Sequence, residues 1–412
     1  FWLKPCWVQM PRWGVVGGAD KGSRGGILVR KGQDLGSEQA AERLANGSVI
    51  EELELIGDRL NYRLVRGTGP AEGWVSISVK GKELVARVPE EEEEEDDDEA
   101  SEDCGGPGDS SDPVPVDEDL QDSLECEAKK RAAEGQFAAY LPKYADLGGP
   151  LESPRLRVLC FHNEGSAESN FTRPGSPLAD WVKDGRAVEV CAFDFPGRAK
   201  LLRAERHVAI DALARDLLTV FYEKMRDKVP YVVWGHSLGS WVAFEYLILC
   251  RRAGLKMPKA AFFMAFPAPH MPPKQRPWRK SSRLGGEKFK EEVKNWDRDH
   301  FAEAGQVVFQ PPLWEDQFQP LLRSDFELFD RYRFGHGGAP RFGFPIHAWH
   351  FSGEHFVKRE MVEMWRDWTT GSFETRTLEG MGHLSCFYHL ESRNSYFEKV
   401  TELLKEYLGE QT

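Results

Sequence analysis

At 412 residues the chain is too long for one ordinary core, and a hydrophobic content of 41% with 13 Trp and 25 Phe can fill two or three. No apolar run reaches the ~18 residues of a membrane span. Seven cysteines, odd in number and without CxxC spacing, exclude a zinc knuckle and a disulfide framework. They fit free thiols in a reducing cytoplasm or organelle interior.

The net charge of −13 is local, because residues 90–127 hold twenty Asp or Glu and no Lys or Arg; removing them leaves +7 on the rest. The chain opens on Phe1, as expected of a fragment or a processed chain whose leader is not in view.

Residues 1–88 read as a small all-β unit. Short β-rich runs at 14–18, 26–30, 60–65 and 73–79 alternate with Gly-rich turns, and residues 37–44 are helix-compatible. Ser48-Val49-Ile50-Glu51-Glu52-Leu53 followed by Gly73-Trp74-Val75 resembles SH3-like barrels of the bacterial type. That resemblance implies a binding module. Residues 89–150 follow as an acidic linker, expected to be disordered and extended by self-repulsion, with a short helix at about 120–133.

From residue 151 to 412 strands and helices alternate. Apolar strands are expected at 157–161, 188–193, 231–234, 261–264 and 346–351, with a helix of 3.6 periodicity at 210–225 and an apolar helix at 242–250. This rhythm implies an α/β fold with a mostly parallel sheet covered on both faces.

Gly235-His236-Ser237-Leu238-Gly239 matches G-x-S-x-G between a buried strand and an apolar helix, the setting of a nucleophile elbow. The glycines permit the sharp turn, and the new helix offers free N–H groups to negative charge. A serine hydroxyl needs a base. His236 is adjacent, but neighbouring side chains on a tight turn point apart. His383, in Glu379-Gly380-Met381-Gly382-His383-Leu384, lies in a glycine-bounded loop between a strand at 374–378 and a closing helix at 396–407. The chain order Ser, acid, His puts the base there. The acid is expected just after the strand at 347–351. Glu354, in Ser352-Gly353-Glu354-His355, fits better than Asp367, within a helix, or Asp325 and Asp330, ahead of the strand.

With these residues placed, positions 156–408 resemble type II thioesterases of the α/β-hydrolase superfamily, stand-alone partners of polyketide and nonribosomal peptide synthases. Leu159-Cys160-Phe161-His162 is similar to the family's first strand and turn, and Phe195-Pro196-Gly197-Arg198 to its LPGR loop. Ser240 and Ala243-Phe244-Glu245 extend the likeness along the elbow helix. Leu321-Leu322-Arg323-Ser324-Asp325-Phe326 and Tyr332-Arg333-Phe334 are similar to its LRADF and YRY stretches, and Trp365 and Gly382-His383 complete the set. The resemblance implies Ser237, His383 and Glu354 as a triad, with two departures. The family's acid is an Asp in a longer loop. The turn His162-Asn163-Glu164-Gly165-Ser166 has one glycine fewer and a glutamate inside; a carboxylate beside an oxyanion would oppose reaction, so Glu164 is expected to point away.

The implied activity is hydrolysis of acyl thioesters on an acyl carrier protein, in polyketide, fatty acid or nonribosomal peptide biosynthesis. Backbone N–H groups of Leu238 and of the Asn163/Glu164 turn would form the oxyanion hole, and no metal or cofactor is needed. Residues 268–343 are expected to form a lid, with Trp296, Phe301, Phe309, Trp314 and Phe318 as its own small core. Its basic stretch at 274–283 is as consistent with carrier docking as with a solvated flexible lid. Two other readings use the same residues: an esterase or lipase on oxygen esters, and a non-catalytic binding module, to which the altered turn points. No nucleic-acid partner is expected.

Overall fold

The structure, a computed structural model, describes residues 11–17, 26–79, 81–87, 106–108 and 114–409. The chain divides into two units, residues 1–100 and 101–412. In the first, strands β1 (Arg12–Val15), β2 (Val49–Ile56), β3 (Arg59–Arg66), β4 (Glu72–Ser76) and β7 (Val85–Arg87) form an antiparallel sheet in the order β4-β3-β2-β1-β7, beside a minimal hairpin of β5 (Ser78–Val79) and β6 (Lys82–Glu83). Alternation drives it: Leu60 and Tyr62 on β3, with Ile50, Val75 and Val85, share one buried core. Residues 37–44 form turns and isolated bridges, Arg30 with Gln39 and Ile27 with Leu44, and no helix. Those bridges satisfy backbone groups that a helix would have kept to itself.

The second unit holds strands β8 (Leu156–Phe161), β9 (Val188–Phe193), β10 (Tyr231–His236), β11 (Ala260–Met264), β12 (Ile346–Phe351) and β13 (Phe373–Leu378). They form a six-stranded sheet in the order β13-β12-β11-β10-β8-β9, every neighbour parallel. On β8, Leu156, Val158 and Cys160 join one hydrophobic core and Leu159 and Phe161 the other, so both faces are buried and the strand reads as a continuous apolar run. Helices Ile210–Met225 and Leu238–Arg252 cover one face; Pro177–Lys183 and Leu390–Leu408 cover the other. This is the α/β-hydrolase architecture.

The acidic run itself, at 88–105 and 109–113, lies outside the described residues. The expected linker does not extend to residue 150, however. Helix Glu118–Ala133 starts on Asp117, whose Oδ1 accepts from Leu120 N at 3.0 Å, and buries Leu120, Leu124 and Ala128 in the hydrolase core. Arg215 meets Glu127 at 2.7 Å, and Tyr140 donates to Asp216 at 2.7 Å. Three apolar positions four residues apart make one helix face sticky enough to dock despite the acidic composition.

Between β11 and β12 the chain runs through the segment expected as a lid, with helices Gly286–Trp296, Arg298–Ala302 and Gln319–Arg331. Its aromatics are not a separate core. Phe301, Phe309 and Trp314 pack together, but Trp296 reaches Phe266 below and belongs to the main core. Among the described residues no helix is long and apolar enough to cross a membrane.

Candidate active site

The turn from β10 into helix Leu238–Arg252 places Ser237 at φ 53°, ψ −128°, a conformation that β-carbon sterics disfavour. It persists because its surroundings leave no alternative. A β-carbon on Gly235 would lie 2.6 Å from Gly239 O, and one on Gly239 would lie 2.1 Å from Phe161 O. Ser237 N donates to Met264 O at 2.9 Å, tying the turn to β11. The Leu238 N–H opens the helix, where backbone donors lack intrahelical partners.

His383 arrives in the loop after β13, and its Nε2 lies 2.8 Å from Ser237 Oγ. Glu354, just past β12, takes the Nδ1–H of His383 on both oxygens, at 2.8 and 2.9 Å. Ser237 and His383 are fully buried, and Glu354 is 6% exposed. The structure thus brings all three residues of the expected triad into one hydrogen-bonded line. The weighed alternatives lie elsewhere: Asp330 binds Ser281, Asp367 faces His270, and Asp325 binds Gly165 N and Arg198.

Glu164 does not point away. Its Oε2 accepts from Ser237 Oγ at 3.0 Å, and its Oε1 lies 3.5 Å from His383 Nε2. Repulsion arises only once an oxyanion forms; before reaction, the hydroxyl and the imidazole are good partners for a carboxylate. Asn163 is buried and held at both ends, donating to Glu164 O at 2.9 Å and accepting from Asn170 at 2.9 Å.

Two further residues shape the site. Asp297, at the end of helix Gly286–Trp296, accepts from the backbone N–H groups of Leu384 and Ser385 at 2.7 and 2.9 Å, so the lid grips the His383 loop. Asp325, on helix Gln319–Arg331, accepts from Gly165 N at 2.8 Å and pairs with buried Arg198. In the sequence Asp325 is marked by its LRADF-like stretch, whereas Asp297 belongs to no motif.

Burial acts against charge on each group. It opposes a proton on His383, but the charges and hydrogen bonds of Glu354 and Glu164 outweigh it and raise the pKa. Burial lifts Glu354 to about 7, against the pull of His383. Burial would lift Glu164 too, yet His383, its own backbone N–H and Ser237 bring it below the ordinary carboxylate value.

A family model of the thioesterase domain matches residues 156–404, more than half of the chain. The chain belongs to the thioesterase domain family. Its thioesterase domain is 22% identical over 256 residues to the gramicidin S biosynthesis protein GrsT of Aneurinibacillus migulanus, covering 61% of this chain and 90% of that one. It is 25% identical over 249 residues to the medium-chain S-acyl fatty acid synthase thioesterase of Rattus norvegicus, covering 59% and 85%. Among solved structures, RedJ, a thioesterase from the prodiginine pathway of Streptomyces coelicolor, superposes with a TM-score of 0.52 at 25% identity, over 61% of this chain and 91% of its own. The domain is a hydrolase of the type II thioesterase kind.

Proposed function

We propose that this thioesterase releases acyl chains from the phosphopantetheine arm of carrier proteins, with Ser237 as nucleophile, His383 as base and acid, and Glu354 orienting the imidazole. The observation that carries the proposal is the line from Ser237 Oγ through His383 to Glu354, every contact at 2.8 or 2.9 Å. Two of its relatives, GrsT and the rat enzyme, are named for gramicidin S biosynthesis and for a fatty acid synthase.

In acylation His383 Nε2 accepts the Ser237 proton as Oγ attacks the thioester carbon. The carbonyl oxygen becomes an oxyanion facing the N–H groups of Leu238 and the Asn163/Glu164 turn. The C–S bond breaks, and the departing sulfur takes the proton from His383. In deacylation a water gives its proton to His383 and its oxygen to the acyl carbon; the bond to Oγ breaks, Ser237 regains a proton and the acid leaves. These steps need no metal or bound cofactor.

The exposed lid residues Lys274, Arg279 and Arg283 form the proposed docking edge for an acidic carrier. Cys126, Cys160, Cys191, Cys250 and Cys386 are free thiols, which supports a reducing compartment. The first unit, read as SH3-like, is proposed as an accessory module outside the chemistry.

The test is intact-mass analysis after mixing the full chain with a panel of acylated carrier proteins. An acyl adduct and free acid are expected, both lost in Ser237→Ala. Preference for matched oxygen esters over acyl-pantetheine would overturn the thioester reading.

A further inference from the structure

The Glu164 carboxylate sits where a substrate's carbonyl has to be. It holds Ser237 Oγ at 3.0 Å, lies 3.5 Å from His383 Nε2, and takes the hydrogen bond of its own backbone N–H. Those are the attacking oxygen, the proton acceptor and one oxyanion donor. Attack needs the carbonyl carbon within about 3–3.5 Å of Oγ, a space this carboxylate already fills. The acid product of hydrolysis would rest there in the same way, with one oxygen near Oγ and the other near the turn.

The hydrogen-bond polarity agrees. An ionised carboxylate only accepts, so the single Ser237 hydroxyl proton points at Glu164. Oγ can then only accept from His383, whose Nδ1–H is meanwhile donated to Glu354. The imidazole therefore carries both protons, the reverse of what attack requires.

The backbone beneath Glu164 is pinned from the lid. Gly165 N–H is held by Asp325 of helix Gln319–Arg331, and a β-carbon on Gly165 would lie 2.4 Å from Leu322 of the same helix. The carboxylate is therefore presented from a backbone that this helix holds in place.

Building on the Ser237–His383–Glu354 reading, we propose that Glu164 is an intramolecular product mimic that occupies the acyl-carbonyl seat in the resting enzyme, held there by Ser237 and His383, and must leave before Ser237 can be acylated.

The experiment compares the full chain with Glu164→Ala and Glu164→Gln, following fluorophosphonate labelling of Ser237 and kcat/KM for an acyl-pantetheine thioester across pH. Glu164→Ala should label about tenfold faster or more, since a blocked fraction no longer reduces the competent population. Its acid limb should also move to lower pH. His383 is faced by Glu354 from the turn after β12, Glu164 from the turn after β8 and His236 from the end of β10, Cys386 of the short helix Ser385–Tyr388 bonds its backbone carbonyl, and lid Asp297 acts on Glu354; the Ala variant removes one of the two carboxylates that hold its proton. Glu164→Gln keeps the bulk without the charge, so it should move the limb but accelerate labelling less. Labelling rate and limb unchanged in both variants would overturn the proposal, as would a Glu164→Ala protein that melts normally yet is as inert as Ser237→Ala. No labelling of the parent or of any Glu164 variant would instead bring down the triad reading, and this proposal with it.

Discussion

His236, the residue just before the nucleophile, donates from Nε2 to the backbone carbonyl of His383 at 2.9 Å. The strand end that presents the hydroxyl therefore also holds the loop that presents the base. Burial keeps this imidazole neutral, helped by the charge on His383. His236 packs against Phe387 and Phe351, so His236→Phe should preserve packing while freeing the carbonyl. The expected cost is about 1–3 kcal/mol of stability, read by denaturant unfolding. kcat should fall about tenfold with KM little changed, the signature of a misplaced base.

Glu354 has a sharper role. In Glu354→Gln the amide no longer fixes the Nδ1–H tautomer or balances an imidazolium. kcat should drop on the order of 10³–10⁴-fold with the fold intact by circular dichroism. Glu354→Asp keeps the charge but retracts it by one methylene, and should fall between the two. A Gln variant within threefold of the parent would remove Glu354 from the proposed mechanism.

The pH profile follows from the carboxylates around His383. The base must be neutral to accept the serine proton, and Glu354 and Glu164 raise its pKa despite burial. Activity should therefore climb with pH along a limb lying above the ordinary histidine value of about 6.5. Measuring kcat/KM from acid to alkaline pH gives the limb directly; a midpoint below that value would contradict the assignment.

The helix Glu118–Ala133 offers a test of where the enzyme begins. A chain starting at residue 114 should fold and turn over substrate, whereas one starting at 151 should be unstable, having lost Leu120, Leu124, Ala128, Tyr140 and Tyr144 from the core. In the full chain Leu124→Ala, at a fully buried position, should cost about 2–5 kcal/mol. Thermal melting of the three proteins decides it.

Much of this architecture was legible because its signals are local. A G-x-S-x-G run between a buried strand and an apolar helix declares itself, and Glu354 and His383 each follow a strand at the position the chain order requires. What escaped reading depends on distant partners. The direction of Glu164 is set by Ser237 and His383, 73 and 219 residues further along. Asp297 reads as a helix cap, which it is for His300, but its second oxygen serves N–H groups 87 and 88 residues away. The linker expected over 89–150 gives way to packed structure from residue 118, because composition averaged over an acidic run conceals three apolar side chains on one face of the expected helix.

The lid leaves a kinetic imprint. Trp296 lies 4.9 Å, ring to ring, from His383, and the next residue, Asp297, clasps the backbone on which that imidazole is mounted. In the proposed mechanism, lifting this roof to admit an acyl-pantetheine arm would loosen the mounting too. Hinge motion rather than bond making is then expected to pace turnover. Thickening the solvent with a viscogen should slow good and poor leaving groups alike.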